Sequence, residues 1–173
     1  MSSIRRNSIA FKLCEVAIKI LNNVYQSKLL WPIVLGLVAP LTEAMKINPA
    51  AKFVPDTGNM MIKLWSTFCE FIEKHLKGKL TSDQFTTLSY LINVALKSSN
   101  ESIKKRTCKM WLSVFTEKSF SIPTSLHETL CALKLHPAVL PHSDLCSIEG
   151  ETEKTKENIP SKYFSCSLIN SFV

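Results

Sequence analysis

The chain has little glycine and no long uninterrupted apolar run. Only 4 of its 173 residues are glycine, and few stretches alternate apolar with polar residues, so a turn-rich β-sheet protein is disfavoured. The longest uncharged run, Leu29–Thr42, has 14 residues and includes two prolines, which is too short for a bilayer-spanning helix. We therefore expect an all-α chain without membrane contact, in which this run forms a helix buried on nearly all sides.

The motifs that usually carry catalysis are also missing. The sequence contains no glycine-rich phosphate loop, no paired acidic motif and no Ser–His–Asp arrangement. His75 stands at the end of an apolar helical pattern, where a helix-end cation or an exposed polar residue explains it better than a catalytic base does. We predict that the chain is not an enzyme and takes no cofactor and no small-molecule substrate.

The six cysteines do not indicate disulfides. Cys14, Cys69, Cys108 and Cys131 each lie in apolar helical patterns, where a free thiol acts as a small hydrophobic side chain. The N-terminal residues lead into a charged amphipathic segment and do not resemble a secretory signal. These features favour an intracellular, reducing compartment.

One cluster has the residue types of a zinc site. Cys131, His136, His142 and Cys146 could form a tetrahedral Cys₂His₂ set. Their spacings match no familiar zinc finger, and Pro137 and Pro141 stiffen the loop. We expect no metal here.

Charge is spread unevenly along the chain. Its net charge is +7, but residues 1–141 carry 18 Lys and Arg against 9 Asp and Glu, whereas residues 142–173 carry 3 against 5. A basic body attracts polyanions through its summed field. Nucleic acid is therefore a possible partner on charge alone.

Apolar periodicity predicts six helices. The first, ending near Lys28, is predicted from residues at i, i+3/i+4 and i+7 spacing, which are Ile9, Leu13, Val16, Ile20, Leu21 and Val24. Pro32 suits the first turn of a second helix, and Pro40 would kink or split that helix.

The remaining four helices have recognisable starts or stops. The third stops at Gly78, Ser82 can cap the fourth and Asn100 the fifth, and Pro123 opens a sixth that ends near Leu135. Degenerate helix pairs of roughly 40 residues fit a HEAT/armadillo-like α-solenoid better than a tetratricopeptide or ankyrin array.

The chain divides into two regions. Residues 1–136 are predicted to form the helical-repeat domain, and residues 137–173, which lose periodicity, a disordered tail. That tail contains a Lys-Glu-Asn triplet, formed by Lys156, Glu157 and Asn158, and Pro160 follows two residues after it. The triplet resembles the KEN-type degron read by the anaphase-promoting ubiquitin ligase, although a solvated linker explains it equally simply.

The fifth predicted helix has one apolar and one cationic face. On a helical wheel, Trp111 falls on the core side with Ile103 and Val114, so we predict a buried anchor. The candidate phosphate-binding residues are Lys105, Arg106 and Lys109 on the opposite side, together with Lys77, Lys79, Lys97 and Lys104 near helix ends. On one edge of a solenoid they would form a sequence-indifferent, salt-sensitive DNA-binding stripe; otherwise they only solvate the surface.

Three stretches, in order, resemble one family. Leu30–Leu41 (LWPIVLGLVAPL), Lys63–Phe68 (KLWSTF) and Lys104–Phe115 (KKRTCKMWLSVF) are similar to the N-terminal helical repeats of the Rif family, the telomere-associated Rap-interacting factors. The loops between them are shorter than the family usually has. The short basic motif with which family members recruit type-one phosphatase is not found in the sequence.

The resemblance implies a non-enzymatic chromatin scaffold in the nucleus, at chromosomes and telomeres. Such a scaffold would act in telomere maintenance, replication timing and double-strand-break repair, binding DNA weakly or protein partners through basic helical repeats. The alternative is a HEAT-like cytoplasmic protein-interaction adaptor with no nucleic-acid role. Clustering of the seven cations on one surface favours the scaffold, and scattering favours the adaptor.

Overall fold

A computed structural model describes residues 3–46, 54–115, 120–133 and 135, and their side chains from Asn7 onward. The part so described is all-helical, as predicted, and contains no strand. Its helices are α1 (Ser3–Asn23), α2 (Ser27–Met45), α3 (Pro55–His75), α4 (Ser82–Leu96), α5 (Glu101–Val114) and α6 (Thr124–Ala132). All of them belong to one compact unit, Met1–Pro141.

Contacts run mainly between alternate helices. Helix α1 packs on α3, and α3 packs on α5; in the same way, α2 packs on α4, and α4 on α6. The contact between α4 and α5 joins the two sets. The described helices thus form two layers, α1–α3–α5 and α2–α4–α6.

Two pairs of neighbours within a layer, α1 with α3 and α2 with α4, run in the same direction. Near the start of α3 the hydroxyl of Thr57 donates to the backbone carbonyl of Asn7 at 3.4 Å, and near its end the Lys74 ammonium lies 6.0 Å from the Tyr25 ring centre. In the second layer, Lys46 at the end of α2 lies 5.7 Å from the ring centre of Tyr90 in α4. Parallel stacking of α1 with α3, and of α2 with α4, follows from these contacts.

Large aromatic side chains fill the space between α3, α4 and α5. Trp65, Phe68, Phe85, Trp111 and Phe115 are all at most 1% exposed. The rings of Trp111 and Phe115 stack with centroids 5.1 Å apart, and those of Phe85 and Phe115 lie 5.5 Å apart. Because aromatic side chains bury large areas and pair in specific geometries, this cluster is the main anchor of the fold.

Several helix boundaries agree with the sequence. Asn100 caps α5, since its Oδ1 accepts a hydrogen bond from the Ile103 N–H at 3.2 Å, and Pro123 directly precedes α6. After α3, Gly78 adopts a φ of 71°, in the left-handed region that glycine enters without steric cost. The predicted starts of α5 and α6 are confirmed, whereas α3 ends at His75, three residues before the predicted stop at Gly78.

Three other predicted boundaries are wrong. Helix α4 is capped by Thr81, because Thr81 and Gln84 exchange side-chain to backbone hydrogen bonds at 3.1 and 3.3 Å, a complete capping box. Helix α1 ends at Asn23, and α2 begins at Ser27, so Pro32 and Pro40 both lie inside α2. Neither proline interrupts the helix.

The prediction that α2 is buried on nearly all sides is also wrong. The helix packs on one layer neighbour, α4, and leaves Leu29 and Leu35 45% and 51% exposed. By length and composition alone α2 could cross a membrane, a property it shares with core helices and signal sequences; 33% of its most apolar window is buried. That finding alone is weak evidence for a membrane span.

Candidate partner-binding surfaces

Helix α5 has the two faces that its sequence predicts. Ile103, Thr107, Met110, Trp111 and Val114 are buried in the interior. The opposite stripe, exposed to solvent, consists of Glu101, Lys105, Lys109 and Leu112. The prediction that Trp111 is a core anchor is confirmed, since its side chain is 1% exposed.

A polar contact inside the core ties α3 to α5. The Trp65 Nε1–H donates to the Thr107 Oγ1 at 3.1 Å, and that hydroxyl donates to the Ile103 carbonyl at 2.7 Å. The Trp111 indole N–H is also buried but has no hydrogen-bond partner. The two tryptophans therefore contribute differently: Trp65 by packing and hydrogen bonding, Trp111 by packing alone.

Arg106 does not lie on the open cationic face. Its two terminal nitrogens donate to the two carboxylate oxygens of Glu73 in α3 at 2.7 and 2.8 Å, and the side chains are only 14% and 20% exposed. A bidentate pair of this kind fixes the guanidinium in place, and the hydrogen bonds to Glu73 raise the pKa of Arg106. The prediction that Arg106 shares an open cationic face with Lys105 and Lys109 is therefore wrong.

Beneath this pair lies a buried thiol. Cys69 is 0% exposed, and burial raises the pKa of its thiol far above the ordinary value of 9.0. The thiol is therefore uncharged at neutral pH, so Glu73 rather than Cys69 balances the Arg106 charge.

The other basic side chains of α5 are more accessible. Lys104 pairs with Glu101 one turn earlier, at 2.6 Å, whereas Lys105 and Lys109 project from the exposed stripe. Because exposed ion pairs within a helix are weak, Lys104 could exchange Glu101 for an external anion. The accessible cations of α5 are thus Lys105 and Lys109, with Lys104 beside them.

The helix-end lysines divide between the two ends of α4. Lys77 and Lys79 precede α4, and Lys97 follows it directly. The 15 residues of α4 correspond to a length of about 22 Å at 1.5 Å per residue. The predicted set of seven therefore does not gather at one place, because Lys77 and Lys79 lie at one end of α4 and Lys97 at the other.

His75 is half-buried against its own helix. Its ring centroid lies 4.8 Å from that of Phe71, and partial burial, aided by Lys74 and Lys79, lowers its pKa below the ordinary 6.5. The imidazole is therefore neutral at pH 7. The expectation that His75 serves as a helix-end cation is corrected at that pH.

Two clefts open on the described surface. One, of about 330 Å³, is lined by Phe11, Asp56, Asn59, Met60 and Lys63. The other, of about 250 Å³, lies where α2 and α4 end and is lined by Met45, Lys46, Val94, Lys97, Ser98 and Ser99. Both are open to solvent.

Two sequence hypotheses fall largely outside the described residues. Of the possible zinc ligands only Cys131 is described, and its sulfur contacts His127 at 3.7 Å. Within the described ranges no three His, Cys, Asp or Glu side chains converge as a metal site would require. The degron-like triplet Lys156, Glu157 and Asn158 and the tail predicted from residue 137 lie beyond those ranges.

A second surface lies at the other end of the α1–α3–α5 layer. Helix α1 faces α3 with Cys14, Ile18 and Leu21. Four of the six residues whose spacing predicts the helix point elsewhere. Ile9, Leu13, Val16 and Ile20 are 45%, 64%, 53% and 44% exposed. We call these four residues the N-terminal seam. Periodicity reveals the helix but not which of its apolar faces has a neighbour, so the sequence interpretation missed this surface.

The three stretches that resemble the Rif family lie in α2, α3 and the α5 region up to Phe115. No protein-family model, no curated protein and no solved structure matches the chain.

Proposed function

We propose that the chain is a non-enzymatic helical-repeat scaffold, a short α-solenoid of the HEAT/armadillo kind, that binds macromolecular partners through the outer surfaces of its two layers. The carrying observation is the stacking of alternate helices, α1 on α3 on α5 and α2 on α4 on α6, with α1 parallel to α3. In solenoids each repeat contacts its neighbours in this manner, and the extended outer surfaces are used for binding.

Protein partners suit these surfaces best. The outer surfaces expose isolated large apolar side chains, including Leu35 in α2, Tyr90 in α4 and Leu112 in α5, and apolar and aromatic side chains supply most of the binding energy in protein interfaces. The surrounding polar residues keep the surfaces hydrated until a partner is bound.

Site-specific photo-cross-linking in cells tests this function. A photoreactive amino acid at Leu35, Tyr90 or Leu112 should give discrete protein adducts from at least one position, whereas the same residue at Asp83, at the exposed start of α4, should give few. Adduct patterns that are equally diffuse at all four positions would contradict a scaffold role.

A second candidate is weak DNA binding in chromatin, as the resemblance to the Rif family implies, with the nucleus as the compartment. Lys105 and Lys109 on the exposed face of α5 favour it, with Lys97 and Lys104 near the same end. It ranks second because Glu73 neutralises Arg106 and because Lys77 and Lys79 lie at the opposite end of α4 from Lys97.

A charge-reversal experiment separates the two candidates. If α5 contacts phosphates, Lys105→Glu with Lys109→Glu should weaken binding to duplex DNA and make the salt dependence of log K shallower by about 2. The matched control, Lys77→Glu with Lys79→Glu, changes the net charge equally and should alter the slope less. Equal slopes in both variants would assign the effect to net charge alone.

A further inference from the structure

The N-terminal seam has a spacing that reads the same in both directions. Its members, Ile9, Leu13, Val16 and Ile20, are separated by four, three and four residues. An alternation of three and four is the a/d spacing of a coiled-coil seam, which is narrower than the apolar stripe of an ordinary surface helix. A palindromic seam can pair with a copy of itself running in the opposite direction.

The seam is also part of the most apolar exposed region that the structure describes. Ten large hydrophobic side chains in the described ranges are exposed, and seven of them lie between Ile9 and Leu35. Monomeric proteins rarely leave a contiguous patch of this kind uncovered. Nothing in the described part of the chain covers the seam, because α1 packs on α3 with its other face.

We propose that a second copy of this chain docks on the N-terminal seam, with the two α1 helices antiparallel about a two-fold axis between residues 14 and 15. In that arrangement Ile9 faces Ile20 of the second copy, and Leu13 faces Val16 of the second copy. The interface is isologous, as two-fold dimers require. The proposal goes beyond the scaffold function and does not depend on it.

The charges beside the seam complement each other in this pairing. Lys12, Glu15 and Lys19 flank one side of the seam, and Lys19 contacts Glu15 of its own helix at 3.1 Å. In the antiparallel pair, Lys12 lies two residues, or about 3 Å along the axis, from Glu15 of the second copy. Symmetry makes this contact twice, so each Glu15 carboxylate lies between cations of both copies. Those cations also offset the repulsion between the two Glu15 carboxylates, which lie one residue, or about 1.5 Å along the axis, from each other.

The other side of the seam allows close approach. Ala10 and Ala17 are the small, half-buried residues there, so the two helix backbones can come near each other without a bulky side chain between them. Two such helix faces bury on the order of 1,000 Å² in total, the low end for specific interfaces. We therefore expect a reversible dimer with a dissociation constant of roughly 1–100 μM.

Sedimentation velocity of the full chain tests the proposal directly. Over concentrations of about 1 to 300 μM, which bracket a micromolar dissociation constant, the weight-average mass should rise from one chain toward two. Leu13→Glu with Val16→Glu should keep the protein monomeric throughout. The control variant Leu112→Glu alters an exposed apolar residue of α5 and should dimerise as the parent does.

A charge exchange tests the antiparallel register. Lys12→Glu and Glu15→Lys should each weaken self-association several-fold, because each places like charges opposite one another. An equimolar mixture of the two variants should associate more tightly than either alone, since both cross-chain contacts in the mixed pair then join a carboxylate to an ammonium. Equal association in the mixture and in each variant would overturn the register.

Two results would overturn the proposal itself. One is a folded chain, judged by circular dichroism, that stays monomeric to the highest concentration. The other is a monomer that floats with vesicles containing anionic phosphatidylserine but not with neutral phosphatidylcholine vesicles, and loses this binding in Leu13→Glu with Val16→Glu. That second result would assign the seam to a lipid surface instead.

Discussion

Helices α1 and α5 lie at the two ends of the same layer, but the side chains that they expose to solvent differ in polarity. Each packs one face on α3. On its outer side α5 exposes Glu101, Lys105, Lys109 and Leu112, whereas α1 exposes the four aliphatic residues of the N-terminal seam.

This difference indicates which end of the α1–α3–α5 layer can face water without a partner. The end repeats of the solenoid that we propose would need a polar outer face to stay soluble, and α5 has one apart from Leu112. Helix α1 is apolar on two faces, of which α3 covers one. The same helical periodicity thus encodes a core face and a contact face, and only the presence of a neighbour distinguishes them.

Removing the buried ring of Trp111, which anchors α5, should give the largest loss of stability among these helix-by-helix comparisons. Trp111→Ala should lower the free energy of unfolding by about 3–5 kcal/mol, because it removes a buried ring and leaves a cavity. Urea denaturation measures this. The corresponding truncation in α1, Leu13→Ala, should cost no more than about 0.5 kcal/mol, as exposed positions do; a comparable loss there would erase the contrast between the helices.

Breaking the ion pair between α3 and α5 should give the next largest loss of the free energy of unfolding. Arg106→Met leaves the Glu73 carboxylate partly buried without its partner, and we expect a loss of about 1–3 kcal/mol, less than for a fully buried pair since both groups retain some solvent. Glu73→Met added to it should recover part of that loss.

A double-mutant cycle of these two changes in urea gives the coupling energy. Additive losses would show that the two side chains do not interact in solution.

Replacing each of the two tryptophans by phenylalanine should give a smaller difference in the free energy of unfolding. Trp65→Phe removes the donor to Thr107 as well as ring volume, whereas Trp111→Phe removes an N–H that has no partner. Trp65→Phe should therefore cost about 1 kcal/mol more than Trp111→Phe, the net value of a typical hydrogen bond. Equal losses of the free energy of unfolding would contradict that difference.

The smallest effect concerns His75. Its pKa is lowered on folding, so the unfolded chain binds a proton more readily than the folded one, and protonation favours unfolding. As the pH falls below about 6.5, the free energy of unfolding should decline until the folded-state pKa is passed. His75→Gln should flatten this part of the pH profile, and an unchanged profile would assign the slope to other groups.

The sequence predicts the existence of the helices better than their neighbours. Asn100 and Pro123 act locally, through capping and backbone conformation, so they predict boundaries well. The error at Thr81 has a local cause too, because a Thr-x-x-Gln capping box starts one residue before the predicted cap.

What the sequence could not supply is contact across the chain. The partner of Arg106 is 33 residues away, and a helical wheel shows only that the side chain points away from Trp111. The separation of Lys77 and Lys79 from Lys97, by contrast, could have been predicted from the length of the helix between them.

The most direct test compares the two apolar faces of α1. At protein concentrations far below micromolar, where a second copy is absent, Leu13→Ser with Val16→Ser should leave the free energy of unfolding within about 1 kcal/mol of the parent. Ile18→Ser with Leu21→Ser, on the face toward α3, should lower it by about 4 kcal/mol or more. Equal losses from the two pairs would contradict the account, because the N-terminal seam would then belong to the core.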